Sequence, residues 1–176
     1  MLLFRVRCAR QNFYVVSLYR NPDPDDKIYD CLLTSMAAVK AEDLSALIMF
    51  VSDLNDHHQE WFGSTTTNRH GVTALNFATV SGCNQLVIGS THAHGGTLDL
   101  PITNVPDLVQ VTFLAMLGNS DHSSLSTAIS MSQPVTSLCI SRKELLKYRV
   151  NWTKSVLQYV SFLGEASGVL AILLKY

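Results

Sequence analysis

"LIMFVSDLNDHHQEW", residues 47–61, decides the fold: six uncharged residues run into two aspartates, an asparagine and two histidines, and the stretch ends on a tryptophan. Its apolar part, "ALIMFVS" at 46–52, is continuous rather than alternating and is of strand length. Such a run is expected of a strand buried on both faces, inside a layered α/β domain. The residues that follow favour turns, and Asp53-x-Asn55 taken alone reads as an Asx-type turn closing that strand.

Outward from this strand, "NFYVVSLY" at 12–19 is rich in β-branched and aromatic residues and predicts another. "RNPDPDD" ends it with two prolines, and Asp25 or Asp26 can cap a helix. Cys31, Leu32, Met36 and Val39 then follow helical spacing, so a helix is predicted over 27–41. A second helix is predicted over 71–81, "GVTALNFATVS", ended by Gly82. Strands are predicted at "QLVIGS", "LDLPITNV" and "LVQVTFLAM", and "SLSTAISM" and "VTSLCI" read as the last ones. Pro101 removes a ladder donor from the second of these and points to an edge or a bulge. Mixed strands and helices of this kind argue α/β layers with at least one mixed sheet. The stretch at 156–176 is mostly apolar and near the length of a membrane span, but Gln158, Glu165 and two glycines interrupt it; residues 141–176 read as a helical, apolar tail.

With 176 residues, 47% of them apolar and 15% charged, the chain has the size and the material for one packed domain. Its net charge of -1 lacks the electrostatic footprint of a strongly basic nucleic-acid binder, so phosphate chemistry would rest on a metal ion or a local site. The four cysteines, Cys8, Cys31, Cys83 and Cys139, form no C-x-x-C pair and the start has no signal-peptide pattern, which predicts reduced thiols in an intracellular protein.

Polar clusters recur at strand ends. Tyr19 and Asn21 close the first predicted strand, Asp53 and Asn55 follow the buried one, Asp99 sits within "TLDLPITN", and Asp121 and His122 lie in "LGNSDHSS". Loops at one end of a sheet can bring all of these together. A carboxylate among leucines, as at Asp99, is costly to bury unless paired, and a carboxylate on one imidazole nitrogen fixes a histidine's tautomer for proton transfer. Other patterns are weaker. His57-His58 and His92-x-His94 lack a third ligand at zinc spacing and read as solvated loop histidines. Ser120, Ser123 and Ser124 near His122 have no nucleophile-elbow context, and Trp61 reads as a packing anchor.

Taken in order, "SLYRNP", "FVSDLNDHH", "GGTLDLPITNVPD" and "LGNSDHSSL" resemble the later motifs of the endonuclease/exonuclease/phosphatase superfamily. More narrowly they are similar to the apurinic-endonuclease-like domain of non-LTR, LINE-type retrotransposons, with "NRHGVTALNFATVSGCNQLV" adding to the likeness, over roughly residues 10–131. The resemblance implies a DNase I-like fold, a layered sandwich of two mixed β-sheets flanked by helices, of which the later half is present. It implies that Tyr19 and Asn21 contact the phosphate or nearby backbone, that Asp53 aligns or activates the attacking water, and that Asn55 positions water and phosphate. Asp99 would orient His122, His122 would touch the scissile phosphate or carry a proton, and Asp121 would lie at a Mg²⁺ or Mn²⁺ ion. The implied reaction is hydrolysis of a DNA phosphodiester, in the nucleus, by part of a polypeptide that also carries a reverse transcriptase.

The sequence departs from the family pattern in three places. Ser52 stands where a glycine is usual, Pro101 where an apolar hydrogen-bonded residue is usual, and the pattern's asparagine and metal-binding glutamate before the tyrosine motif have no counterpart, the first glutamate being Glu42. The expected organisation is therefore a partial endonuclease domain over 1–140 followed by the apolar tail over 141–176, with exposed sheet surface and poor solubility when isolated. Two other functions fit the residues: a non-catalytic remnant that associates through its tail, and a phosphodiesterase or phosphatase from another branch of the superfamily.

Overall fold

The computed structural model describes residues 2–8, 11–20, 27–61, 64–116, 118–130, 157–163 and 169–175. In chain order the elements are β1 (Leu2–Cys8), β2 (Gln11–Tyr19), α1 (Lys27–Glu42), β3 (Leu47–Asp53), α2 (Arg69–Ser81), β4 (Asn84–Gln85), β5 (Asp99–Thr103), a 3-10 turn (Pro106–Leu108), β6 (Val109–Leu114), β7 (Ser124–Ser130), β8 (Leu157–Leu163) and β9 (Val169–Lys175). They form two sheets, ordered β1-β2-β3-β5-β4 and β6-β7-β9-β8. The first is mixed, with β2 and β3 parallel and the other pairs antiparallel. The described pairs of the second are all antiparallel.

The continuous apolar run at β3 is explained by its position. Every residue of β3 is buried, and alternate side chains enter two different cores. Ile48 and Phe50 face the helices, packing with Tyr14, Val16 and Leu18 of β2, with Tyr29, Leu32 and Met36 of α1, and with Ala74, Phe77 and Ala78 of α2. Leu47, Met49 and Val51 face the other way, with Phe13 and Val15 of β2 and with Leu125 and Ile129 of the second sheet. A strand with both faces covered has no polar side to show. The parallel step from β2 to β3 needs a crossover, which α1 supplies.

The helix α2 begins earlier than its apolar pattern. The Asn68 side chain accepts from the Gly71 N–H and caps the start, while Gly82 ends the helix at φ 66°. Gly71 is required by contact rather than by backbone angle, since a Cβ there would lie 1.9 Å from the His57 carbonyl oxygen. Trp61 is buried in the helix-side core, as its reading as an anchor expects.

Several expectations are corrected. The tail predicted as helical carries two strands: β8 and β9 pair with each other, and β9 pairs with β7. Its nearly continuous apolar runs do not by their period separate strand from helix, and long-range pairing decides between them. Of "QLVIGS", residues 85–90, only Gln85 is in a strand, the two-residue β4. The N-terminal strand β1, held by pairing to β2, was not anticipated. Pro101 marks neither an edge nor a bulge: the β3–β5 register runs unbroken from Met49↔Thr103 to Asp53↔Asp99. Its carbonyl accepts from Leu86 N–H on the β4 side, so its nitrogen also faces away from β3 and the central ladder loses nothing. Ser52 is accommodated as well, its buried hydroxyl donating to the Leu100 carbonyl at 2.9 Å. "VTSLCI" and the cap at Asp25 or Asp26 lie outside the described residues. Among the described residues no helix is long and apolar enough to cross a membrane.

Candidate functional site

Three strand ends set the site. Tyr19 closes β2 in register with Asp53, and Asp53 closes β3 in register with Asp99 at the start of β5. Residues in register on neighbouring strands project to the same face, so these three side chains form one row. The face is the one that Leu47, Met49 and Val51 turn towards the second sheet. His122, from the loop before β7, completes the row: its Nδ1 lies 2.9 Å from Asp99 Oδ2.

Asp53 and Asp99 are almost wholly buried, at 3% and 0% exposure. Burial, and then the neighbouring Asp99 charge, push the Asp53 carboxyl up to about 7, against the opposing influence of His122 and of the bonds from Asn55. The hydrogen bond to Asp99 raises the His122 imidazole above its ordinary value, outweighing its partial burial. Burial, helped by Asp53, also raises the Tyr19 phenol, which keeps it a donor at neutral pH. Asp99 is held by the chain as well as by His122. The hydroxyl of the buried Thr91 accepts from the N–H groups of both Leu98 and Asp99, at 2.9 and 3.1 Å. Among the described residues Asp99 Oδ1 has no hydrogen-bond partner, although it is buried.

The polar segment after β3 is a built turn, as the local pattern suggests, and it also aims two site residues. Asn55 adopts φ 52°, a left-handed conformation that asparagine tolerates. Its backbone N–H donates to Asp53 Oδ1 at 3.2 Å and its side-chain amide donates to the Arg20 carbonyl at 2.9 Å. Beneath it the Arg20 guanidinium donates to the Leu54 carbonyl and, at 2.7 Å, to Asp56 Oδ1. The Tyr29 hydroxyl donates to the other Asp56 oxygen. Asp56 is fully buried, so this charge pair is the fixed floor of the turn.

Asp121 stands at the mouth, its side chain 61% exposed. Its carboxyl is held below the usual range, chiefly by its own backbone N–H and further by His92 and the charge of His122. Two groups of potential ligand atoms lie within 4.8 Å of one another, Asp53–Asp99–His122 and His92–Asp121–His122.

Tyr19, Asp53, Asn55, Asp99, Asp121 and His122 are thus gathered at one place, while Asn21 lies outside the described residues. Sequence reasoning missed Arg20, Tyr29 and Asp56, whose contacts are long-range and leave no local spacing signal, and Thr91, which bonds to residues only seven and eight places on but in no recognisable motif. It also took His92 for a solvated loop residue, whereas its Nε2 lies 3.2 Å from Asp121 Oδ2. His58 is buried rather than solvated, and its Nδ1 accepts from the Glu60 N–H. Ser120 serves its turn, its hydroxyl accepting from the backbone N–H of His122.

This fold, with carboxylates and a histidine converging where the strands end, is that of a DNase I-like endonuclease domain. A family model described as endonuclease-reverse transcriptase matches residues 13–126, and the chain belongs to that family. Among solved structures it is similar to the endonuclease domain of TRAS1, a telomere-specific non-LTR retrotransposon, with a TM-score of 0.60 and 18% sequence identity. The match covers 75% of this chain and 64% of that one, so the chain spans under two-thirds of the solved domain. No curated protein sequence matches it significantly.

Proposed function

We propose that this site hydrolyses a DNA phosphodiester with the help of a divalent cation, and that the chain is a fragment of the endonuclease domain of a retrotransposon whose polypeptide also carries a reverse transcriptase. The observation that carries this reading is the convergence of Tyr19, Asp53, Asp99 and His122 from three strand ends and a loop. A carboxyl at about 7 is poised to take a proton from water near neutral pH, which suits Asp53 as the base that aligns and activates the nucleophile. Asn55, fixed by Asp53 and Arg20, presents its polar edge beside that water. His122, oriented by Asp99 and inclined to stay protonated, donates to a phosphate oxygen, and the Tyr19 phenol donates from the other side.

The donors fit a hard cation such as Mg²⁺ or Mn²⁺. Two neighbouring groups offer them: at the mouth Asp121 gives an exposed, ionised carboxylate, and in the group with Asp53 and His122 the buried Asp99 keeps an oxygen without a partner among the described residues. Bound there, the cation would neutralise charge developing on the phosphate and the leaving oxygen. In the family pattern an asparagine and a glutamate from earlier strands complete this site; Glu42, at the end of α1, is not placed to do so. An enzyme of this kind acting on chromosomal DNA would work in the nucleus. The test is conversion of supercoiled plasmid to open circles by the purified chain with Mg²⁺ or Mn²⁺, compared with Asp53→Ala and His122→Ala.

A further inference from the structure

His92 belongs to none of the motifs that define the site, yet it is tied to the mouth by backbone and side chain together. Residues 92 and 122 form an isolated antiparallel bridge: Ala93 N–H donates to the Asp121 carbonyl and Ser123 N–H to the Thr91 carbonyl, each at 2.8 Å. The imidazole of His92 meets that of His122 edge-on, with centroids 4.9 Å apart and planes at 82°. Its turn is fixed by Ser90, whose hydroxyl lies 2.8 Å from the His92 carbonyl, and by Gly95, which adopts φ 88°.

The two ring nitrogens of His92 have different partners, and this settles the tautomer. Nδ1 receives the backbone N–H of His94 at 3.2 Å and must therefore be the acceptor. The proton of the neutral ring then sits on Nε2, which faces Asp121 Oδ2 at 3.2 Å and donates to it. A cation on Nε2 would force the proton onto Nδ1, against the His94 N–H. The geometry thus makes His92 an unsuitable ligand and a well-placed donor.

We propose that His92 is a positioning residue that holds the Asp121 carboxylate in the orientation needed to take a divalent cation. The proposal rests on the reading of Asp121 as a cation ligand. Hydrogen-bonded partners of metal ligands typically contribute about 10–100-fold in metal affinity, which sets the size of the effect.

The test uses Mn²⁺ alone with the full chain and needs no DNA. Free Mn²⁺ is followed by electron paramagnetic resonance for wild type, His92→Ala and His92→Gln, the last of which keeps an N–H donor. The dissociation constant is expected to rise about tenfold in His92→Ala and to recover in His92→Gln. Equal binding by wild type and His92→Ala, including no binding by either, overturns the proposal, and so does a His92→Gln variant as weak as His92→Ala. Long-range ¹⁵N–¹H spectra of the wild-type chain give a readout that depends on no variant folding: the His92 proton is expected on Nε2, and finding it on Nδ1 overturns the proposal. A chain whose Mn²⁺ affinity depends on His92 but which never nicks DNA upholds the positioning role and overturns the nuclease reading.

Discussion

The Asp53 carboxyl links folding stability to the proposed activity in one residue. The folded chain holds it at about 7, against an ordinary value of 3.8, so between those pH values the folded protein keeps a proton that the unfolded chain has released. Folding stability from this group therefore falls as pH rises through that window and stays reduced above it. His122 acts in the same direction, since its raised pKa gives stability below its ordinary value of 6.5 that is lost as pH rises through the folded value. Asp53→Asn should thus melt higher than wild type at about pH 8, with the gain disappearing near pH 4, when thermal unfolding is followed by circular dichroism. The same substitution should cost nicking at least about a hundredfold, as expected for loss of a positioned base. Asp56 shows the opposite balance. Removing one partner of a buried ion pair costs about 3–5 kcal/mol, so Asp56→Ala should lower the denaturant midpoint accordingly and reduce activity through displacement of Asn55.

At the scale of elements, the close approach of α2 to the loop after β3 is the most exposed joint. An added methyl at Gly71 meets a backbone oxygen, which cannot swing aside as a flexible side chain could. Gly71→Ala should destabilise by at least about 1–3 kcal/mol, measured by urea unfolding, although alanine is the better helix former. Elements with strong local patterns were legible: α1 and β3 fall within a residue of their predicted ends because helical spacing and a continuous apolar run have few other interpretations. Elements defined by their neighbours were not. β1 and β9 exist through pairing to β2 and β7, and β4 pairs with β5 only as far as Gln85, beyond which Pro101 has no N–H to return the bond it accepts from Leu86. The site follows the same division. Asp53, Asp99 and His122 could be found because turn-forming and charged residues interrupt apolar strands, and the family resemblance supplied their common purpose. Asp56 and His92 act through contacts made across the fold, which sequence spacing does not record.

The molecule as a whole places its candidate site where two sheets meet. Met49 and Val51 pack against Leu125 and Ile129 in the layer between them, and the next residue on that face of β3 is Asp53. The apolar layer thus gives way to the row of polar groups, which holds the carboxylates in surroundings dry enough to shift Asp53 towards neutrality. The second sheet is part of this support, since β7 follows the His122 loop and pairs with β9. Removing residues 157–176 should therefore leave the β7 edge unpaired, lowering the melting temperature and increasing aggregation in sedimentation measurements. A tail that served only as an appendage would leave both unchanged. The central claim, that Asp53 and His122 belong to one phosphodiester-cleaving site, is tested most directly by plasmid nicking. The purified chain with Mg²⁺ or Mn²⁺ should turn supercoiled DNA into open circles, and Asp53→Ala and His122→Ala should each slow this at least about a hundredfold. Absence of nicking with either ion, or nicking that both substitutions leave untouched, would contradict it.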